Sequence, residues 1–427
     1  MDNSIKTVVV LGSSGTIGSL VGGLIAQNGI KVYFLSRTLE GAKTGLRRAM
    51  TQARSEVISR YIECGDYDHL LESALQDADL IIESISEDLE AKKAMYNRVE
   101  RYRKPDTIIG TTTSSLPLSA LADGRSPDFR SHFLATHFYN PPGRMRACEV
   151  ACTEATDPVS YDIIKDFLKN ELRREVIAVN NVPGFAGNRI AFVLFNQITS
   201  LVEEYGAEQI DYLIGPYTGR LMPPLRTIDL VGLDIHKAII HNLREASHDH
   251  MYEELALPDY INKMVIAGFL GNKTKGGFYK VLESGKQVFI DPHTCNYIPA
   301  IEPHVAFVEK AKRLIHLGLY HEAFEAINTA RGPEAEIVKD ILCKYIAYSY
   351  SLIGEVTKPE YGIAGIDKVM TTGFHWAAPS VIVNVLGGKE AAIDLLHARG
   401  VQVPEGIGRE DTLTEKALGS MKYFIAR

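Results

Sequence analysis

The sequence predicts an α/β fold, with a doubly wound sheet in the first part of the chain and duplicated all-α domains after it. A β-branched run at residues 6–11 leads directly into a glycine-rich turn and an apolar segment of helical spacing. Short apolar runs then alternate with helical stretches, and after Pro183 and Gly184 the pattern changes to long helical periods. We therefore predict a Rossmann-like domain at 1–182 and two helical domains at 183–300 and 301–427.

The strands of the predicted sheet are short apolar runs bounded by turn residues. We place them at 6–11, 31–35, 58–64, 80–85, 107–110, 134–139 and 147–152. The first helix of the later region is predicted at 186–205 from its periodicity. The strict alternation of strands and helices in the first half is what predicts a doubly wound sheet.

The turn after the first strand is typical of a nucleotide-binding loop. It contains Gly12, Gly15, Thr16, Ile17 and Gly18, and the following helix would direct its N-terminal N–H groups at a dinucleotide pyrophosphate. Gly12 and Gly15 are separated by two residues, so the loop is one residue longer than the common pattern. The alternative is a tight strand-to-helix turn that binds no ligand.

The end of the second strand bears on the choice of cofactor. NAD-binding chains usually place a carboxylate there, whereas this sequence has Ser36 followed by Arg37. We predict NAD as the cofactor and keep NADP as an alternative, since a serine and an arginine suit a 2′-phosphate. Arg37 is equally compatible with a solvated position.

A histidine and a glutamate lie on two neighbouring predicted strands. His137 lies in the first strand, turn residues follow at 140–146, and Glu149 lies in the middle of the second strand. A carboxylate behind a histidine prepares the imidazole for proton transfer near neutral pH. The alternative is an exposed edge-strand glutamate beside a histidine of the core.

Composition excludes several classes of protein. The 427 residues carry a formal net charge of −7, which does not favour nucleic-acid binding. No apolar run has membrane-spanning length and no signal peptide is recognisable, so we predict a cytoplasmic protein without a membrane partner. The five cysteines have no metal-ligand spacing, and we predict no metal site.

A basic stripe follows the second strand. Lys43, Arg47 and Arg54 have spacings of four and seven, which would place them on one helix face. They are candidates for binding the adenosine phosphates of coenzyme A, although a solvated surface stripe is the commoner explanation.

The later region contains a weak internal repeat. The segment QIDYLIGPYTGRLMPP is echoed by GIDKVMTTGFHWAAP, and in both an Ile-Asp pair is followed by a glycine and a proline. A proline-bearing stretch at 299–303 separates the copies and sets the predicted boundary.

Taken together, these residues resemble the 3-hydroxyacyl-CoA dehydrogenases of fatty acid β-oxidation. They are most similar to the dehydrogenase part of bacterial and archaeal dehydrogenase and hydratase fusions, with the hydratase half absent here. The motifs that carry the resemblance run through the chain: TTTSSL, HFYNPP, CEV, VPGFAGNR, RTIDLVGLD and GNKTKGGFY. The resemblance implies a Rossmann domain, a helical C-terminal domain and a second copy of that domain.

The resemblance also implies roles for individual residues. His137 would be the general base and Glu149 its orienting carboxylate, with Ser114 contacting substrate and Asn188 supporting the site. Cofactor contacts are carried onto Glu87, Lys92, Asn140 and Lys273. The ordinary alternative for Glu87 and Lys92 is a charged helix start. For Asn140 it is a turn-forming residue, and for Lys273 a surface lysine.

Some positions depart from the family pattern. Thr112 stands where the family usually has asparagine, and Lys275 replaces a glycine. One alternative is therefore a nucleotide or acyl-CoA sensor with weak turnover, and another an NADP-dependent reductase of a specialised acyl thioester. A third alternative is a short-chain dehydrogenase, because Tyr161 and Lys165 have the spacing of its catalytic pair. The sequence has no serine at the proper distance upstream of them, which speaks against this alternative.

Two further expectations concern assembly and loops. We expect an acyl-CoA substrate, a separate enoyl-CoA hydratase or thiolase as partner, and a monomer or homodimer, because a second helical copy would cover a face that single-copy relatives bury in a dimer. The cluster at residues 248–250 (His-Asp-His) is expected to be an exposed loop without metal.

Overall fold

The structure, a computed structural model, describes residues 4–246, 251, 253–408 and 413–426. The chain divides into two compact units, Met1–Phe185 and Ala186–Arg427. The division lies close to the predicted boundary after residue 182, while the second boundary, after residue 300, stays a prediction.

The first unit is built on one eight-stranded sheet. Its strands are β1 (Thr7–Leu11), β2 (Lys31–Ser36), β3 (Ile62–Asp66), β4 (Leu80–Glu83), β5 (Ile108–Thr111), β6 (Phe133–Phe138), β7 (Ala147–Cys152) and β8 (Glu175–Val179). Their order is β3-β2-β1-β4-β5-β6-β7-β8, and every pair is parallel except the antiparallel pair β6 and β7. This confirms the predicted doubly wound, Rossmann-like sheet.

Helices connect these strands. They are α1 (Thr16–Ala26), α2 (Leu39–Ala53), α3 (Leu71–Asp77), α4 (Leu89–Tyr102), α5 (Leu118–Ala122), α6 (Pro127–Ser131) and α7 (Pro158–Asp166), with a 3₁₀ helix at Val57–Tyr61 and a π-helical turn at Phe167–Glu171. The central strands β1, β4 and β5 are buried along their whole length. Their apolar, β-branched side chains are covered on both faces, as expected for parallel strands.

Two details of the predicted sheet were wrong. Residues 58–61 belong to the 3₁₀ helix rather than to β3, because Ser59 N–H turns back to the carbonyl of Glu56 at 3.1 Å and Val57 is exposed. The strand β8 was not predicted; three of its five residues are only partly buried at the edge of the sheet, so its apolar pattern is short.

The second unit is mainly helical. Its α-helices are α8 (Gly187–Ser200), α9 (Val202–Tyr205), α10 (Ala207–Leu213), α11 (Pro224–Val231), α12 (Leu233–Ala246), α13 (Asp259–Ile266), α14 (Ala306–His316), α15 (Tyr320–Thr329), α16 (Pro333–Ser351), α17 (Gly362–Val369), α18 (Pro379–Val385), α19 (Lys389–Ala398) and α20 (Glu415–Leu418). The predicted helix at 186–205 is divided at Leu201 into α8 and α9.

This unit also contains strands, which the prediction of an all-α region missed. The strands β9 (Tyr279–Val281), β10 (Gln287–Ile290) and β11 (Tyr297–Pro299) form an antiparallel sheet in the order β11-β10-β9. Each has only three or four residues, too few for a period of two to be recognised among the surrounding turns.

The two copies of the sequence repeat share one structural arrangement. The carboxylate of Asp211 accepts hydrogen bonds from Leu225 N–H at 2.8 Å and Arg226 N–H at 3.1 Å, at the start of α11. Asp367 accepts from Ser380 N–H at 3.2 Å, at the start of α18. In each copy a buried aspartate therefore caps the helix that begins at the repeat's proline, which gives the repeated Ile-Asp and proline positions a common purpose.

Within the described parts of the chain, no helix combines the length and the apolar character that a membrane crossing requires.

Candidate active site

A hairpin places the predicted histidine and glutamate opposite each other. In the register of β6 and β7, His137 pairs directly with Glu149. The Nδ1 atom of His137 lies 2.7 Å from Oε2 of Glu149. Glu149 is fully buried and His137 is 8% exposed. Because β8 lies beyond β7, Glu149 is not the exposed edge residue of the alternative explanation.

A third residue, Tyr139, joins this pair. Its hydroxyl donates to the same Oε2 atom of Glu149 at 2.7 Å, and its ring meets the imidazole edge to face at 4.9 Å between centroids. Phe185 approaches the imidazole as well, at 5.7 Å. No role for Tyr139 was predicted from the sequence. The available signal was its position two residues after His137, which puts both side chains on one face.

The nucleotide loop has the geometry that a phosphate group requires. Gly12 has φ +83°, and a Cβ atom there would lie 2.3 Å from the carbonyl oxygen of Ser84, so only glycine fits. A Cβ on Gly18 would lie 2.9 Å from the carbonyl oxygen of Gly12. Thr16 is exposed, Ile17 is partly buried, and the residue before α1, Gly15, caps the helix with no side-chain hydrogen bond. The N-terminus of α1 therefore fits a pyrophosphate.

At the end of β2 the predicted ribose-binding position is occupied by a serine whose hydroxyl is already bonded. Ser36 is buried, and its Oγ donates to the carbonyl of Thr38 at 2.8 Å. Arg37 is exposed. The neighbouring strand places Asp66 beside Ser36 in the register, and its carboxylate accepts from the N–H groups of residues 68 and 69.

Lys92 and Glu87 lie around the buried carboxylate of Glu83, at the end of β4, for which no role was predicted. Lys92 is fully buried, and its Nζ is 2.7 Å from Oε1 of Glu83 and 3.5 Å from Oε2 of Glu87. Glu83 also accepts from Ile85 N–H, Tyr96 and Thr111. Lys92 is therefore not a solvated helix-opening charge: it fixes the loop that follows β4.

Ser114 and Asn140 lie in the loops after neighbouring strands. Ser114 follows β5, and its carbonyl accepts from Gly184 N–H at 2.8 Å. The hydroxyl of Ser115 donates to Glu87 at 2.7 Å in the same loop. Asn140 follows β6 and is exposed. Both loops leave the sheet at the carboxyl ends of strands, where ligands bind in open α/β sheets.

The remaining predicted site residues belong to the second unit. Asn188 is buried in the first turn of α8. Lys273 lies in a 3₁₀ turn at Asn272–Thr274, and its ammonium pairs with Asp234. Lys275 follows with φ +58°, a left-handed conformation at the position where the sequence departs from the family's glycine.

The basic stripe is only partly on one helix face. Lys43 and Arg47 lie on α2, whereas Arg54 ends that helix with φ 50°. Arg47 bonds to Glu40 at 2.7 Å, and both side chains are exposed. A cleft of about 420 Å³ lies beside the end of this helix and is lined by Arg48, Thr51, Gln52, Arg54, Pro141 and Arg144.

Two lesser candidates can be placed. Tyr161 and Lys165 lie on α7, with the ammonium 5.8 Å from the tyrosine ring centroid. The predicted exposed loop at residues 248–250 lies outside the described residues.

Comparison with known proteins agrees with this geometry. Residues 7–182 match the family model described as 3-hydroxyacyl-CoA dehydrogenase, NAD binding domain, and residues 184–281 match the corresponding C-terminal domain. The NAD prediction is therefore confirmed.

Relatives cover most or all of the chain. A probable 3-hydroxyacyl-CoA dehydrogenase of Deinococcus radiodurans is 33% identical over 66% of this chain and 84% of its own length. One of Bacillus subtilis is 29% identical over 99% of this chain, which spans 57% of that relative's length.

A solved structure extends the likeness of fold. The 3-hydroxybutyryl-CoA dehydrogenase of Escherichia coli covers 98% of this chain and 100% of its own, with a TM-score of 0.65 and 19% identity. By the matched family models and the Deinococcus relative, the chain belongs to the 3-hydroxyacyl-CoA dehydrogenase family of NAD-dependent oxidoreductases.

Proposed function

We propose that this chain interconverts 3-hydroxyacyl-CoA and 3-oxoacyl-CoA with NAD, in fatty acid β-oxidation or a related acyl-CoA pathway, and that His137 is its general base. The observation that carries the proposal is the 2.7 Å bond between Nδ1 of His137 and the buried carboxylate of Glu149. Such a bond selects the tautomer in which Nδ1 carries the proton and Nε2 accepts one.

The proposed step moves one proton and one hydride. Nε2 of His137 takes the proton of the substrate's 3-hydroxyl, and the electron pair of that O–H bond forms the C=O bond of the ketone. The C3–H bond breaks at the same time, and its electron pair leaves with the hydrogen as hydride. When bound, NAD accepts that hydride. Glu149 stabilises the imidazolium and keeps its own charge. In the reverse direction the imidazolium returns the proton to the developing alkoxide.

Ser114 is the proposed hydrogen-bond donor to a substrate oxygen. Its loop is held at its base by the bonds of Thr113 and Ser115 to Glu87, and by the bond from Gly184. A donor held in this way loses little entropy when it binds a developing charge. The roles that the resemblance implies for Asn188 and Lys273 stay predictions.

The phosphates of coenzyme A are proposed to bind in the cleft beside α2. Arg48, Arg54 and Arg144 supply three guanidinium groups to its lining, and that of Arg48 also bonds to the carbonyl of Ser14 at 2.9 Å. Of the three basic residues predicted from sequence, Arg54 is the strongest candidate because it lines this cleft, whereas Arg47 bonds to Glu40. We expect Arg54→Ala to raise the KM for acetoacetyl-CoA several-fold, with Arg47→Ala as a matched surface control. A KM that is equal in the two variants would contradict this site.

The test of function is oxidation of NADH and of NADPH with acetoacetyl-CoA, followed by absorbance. We expect turnover that is abolished in His137→Ala, with NADH preferred. Preference for NADPH would support the alternative prediction that Ser36 and Arg37 bind the 2′-phosphate of NADP. A folded protein without turnover with either cofactor would favour the sensor or a reductase of a specialised acyl thioester.

A monomer is our proposal for the assembly. Equivalent parts of the repeat pair with each other inside the second unit, through Leu221 N–H to the carbonyl of His375 at 3.2 Å and Ala377 N–H to that of Gly219 at 2.7 Å. Such pairing covers within one chain a surface that a second chain would otherwise cover. Light scattering that gives twice the 47.2 kDa chain mass would contradict it.

The proposed partner is a separate enoyl-CoA hydratase or thiolase. The reaction class that supplies a 3-hydroxyacyl thioester is hydration of an enoyl thioester, and thiolysis consumes the 3-oxo product. Co-purification with an enzyme of either class, checked by a coupled assay from enoyl-CoA, would support this proposal.

A further inference from the structure

Tyr139 shares the carboxylate that orients His137. The Oε2 atom of Glu149 lies 2.7 Å from both the Nδ1 atom of the imidazole and the hydroxyl of Tyr139. All three side chains are largely shielded from solvent: Tyr139 is 6% exposed, His137 8% and Glu149 0%. Two donors therefore compete for the charge of one oxygen in a place where water screens little.

The backbone explains why the hydroxyl reaches this atom. β6 ends at Phe138, and Tyr139 is the next residue, two after His137, so the chain brings the phenol to the carboxylate on β7 that His137 also contacts. The edge-to-face contact of the two rings holds the phenol in place. A buried phenol needs an acceptor, and Glu149 supplies it.

Cys148 precedes Glu149 in β7, and burial together with the charge of Glu149 raises the pKa of its thiol well above the usual range, so this neighbour is neutral. The buried guanidinium of Arg174, on the side of β8, donates to backbone carbonyls. The hydrogen bonds to Oε2 of Glu149 include those of an imidazole, whose charge changes during the reaction, and of a phenol.

We propose that Tyr139 is a positioning residue that lowers the proton affinity of His137 by withdrawing charge from Glu149. A carboxylate that accepts a second hydrogen bond stabilises an imidazolium less strongly. The tyrosine would thereby keep more of the histidine in its neutral, proton-accepting form at neutral pH. The inference rests on the proposed function, in which His137 must be neutral to accept the proton of the substrate's hydroxyl.

The test is the pH dependence of kcat/KM for oxidation of 3-hydroxybutyryl-CoA by the full chain and by Tyr139→Phe. We expect the acidic limb of the profile to move to higher pH by about half a unit or more, since the lost bond is charge-assisted. An acidic limb that stays in place, with or without a uniform fall in kcat, would overturn the proposal in favour of a merely structural role.

Tyr96→Phe is the matched control. The hydroxyl of Tyr96 also donates to a fully buried carboxylate, Glu83, at 2.7 Å in the same sheet. We expect this variant to leave the acidic limb unmoved, whatever it does to stability or to the KM for NAD. A limb that moves equally in both variants would overturn the proposal, because the effect would not be specific to Glu149.

A second measurement separates this proposal from the proposed function. In protein labelled with ¹⁵N-histidine, the signal of His137, assigned with His137→Gln, should titrate at a higher pH in Tyr139→Phe than in the wild type. This readout needs no turnover, so an inactive protein that shows the shift would refute the function and keep the inference. An unshifted signal would refute the inference. If Tyr139→Phe does not fold, 3,5-difluorotyrosine at position 139, a stronger donor, should move the midpoint to lower pH; an unmoved midpoint would again refute it.

Discussion

Glu83 and Glu149 are two fully buried carboxylates of one sheet, and each accepts a hydrogen bond from a tyrosine at 2.7 Å. Their basic partners differ. Glu83 faces the ammonium group of Lys92, and it also accepts hydrogen bonds from a backbone N–H and a threonine. Glu149 faces the imidazole of His137, a side-chain type that can both accept and donate a proton in catalysis.

The comparison shows how the same burial supports two purposes. A buried ion pair between permanent charges fixes geometry, because removing either member leaves an uncompensated charge. A buried carboxylate beside a histidine instead holds an imidazole that can gain and lose a proton. The identity of the basic partner, rather than the degree of burial, separates a structural pair from a chemical one.

The largest effect expected from this comparison is on stability. Glu83→Gln leaves the ammonium of Lys92 buried beside a neutral amide, and we expect it to lower the free energy of unfolding by about 3–5 kcal/mol. Urea denaturation checks this. Glu40→Gln, which breaks only the exposed pair with Arg47, is the control and should unfold as the wild type does. Equal urea midpoints for the two variants would contradict a structural role for the buried pair of Glu83 and Lys92.

The next effect is on catalysis. Glu149→Gln keeps the shape of the side chain but removes the charge that stabilises the imidazolium, so we expect kcat to fall about 100-fold or more. Its free energy of unfolding should change less than that of Glu83→Gln, because no permanent cation is left buried. Steady-state kinetics beside urea denaturation tests both parts. Glu175→Gln, on the adjacent strand, is the control, and wild-type kcat in folded Glu149→Gln would refute the dyad.

The smallest expected effect is on the pH dependence of stability, and it concerns a third buried carboxylate, Asp211 of the second unit. Asp211 is held by backbone N–H groups and the hydroxyl of Tyr279. Burial raises the pKa of Asp211 from 3.8 to about 7, so the folded form binds the proton more tightly than the unfolded form. The stability that this proton provides is fully present below the unfolded value and is lost as pH rises through about 7.

Asp211→Asn should therefore flatten the pH dependence of unfolding between about pH 4 and pH 7, because it removes the carboxyl group that binds its proton more tightly in the folded form. Chemical denaturation at a series of pH values measures the slope. Asp229, whose pKa is raised by burial to about 6, leaves a smaller slope in the variant. The exposed Asp259→Asn is the control, and an unaltered slope in Asp211→Asn would contradict the assignment.

Sequence patterns predicted the parts of the molecule that local rules determine. The strand, glycine loop and helix at the N-terminus follow from spacing alone, and the turn between β6 and β7 puts His137 opposite Glu149 by simple counting. The second bond to Glu149 could not be predicted, because it depends on how the phenol of Tyr139 packs over the neighbouring strand. Lys92 was equally hidden, since a lysine near a helix start is normally solvated.

Two errors have the same physical origin. The 3₁₀ turn at 57–61 and the strands β8 to β11 are short, so their periods extend over too few residues to separate strand from turn. Tertiary pairing decides their structure. The basic residues posed a related difficulty. Spacings of four and seven predicted one helix face for Lys43, Arg47 and Arg54, but the helix ends at Ala53 and Arg54 has a left-handed backbone conformation.

The hairpin of β6 and β7 has a consequence for how the active site arises during folding. His137 and Glu149 are 12 residues apart. Thr111 and Glu83 are 28 residues apart, and they meet only after the parallel strands β4 and β5 have joined across a crossover. Closing so short a loop costs little entropy and is fast. The chemical pair therefore needs only a local event to form, and the slower assembly of the parallel sheet encloses a dyad that is already in register.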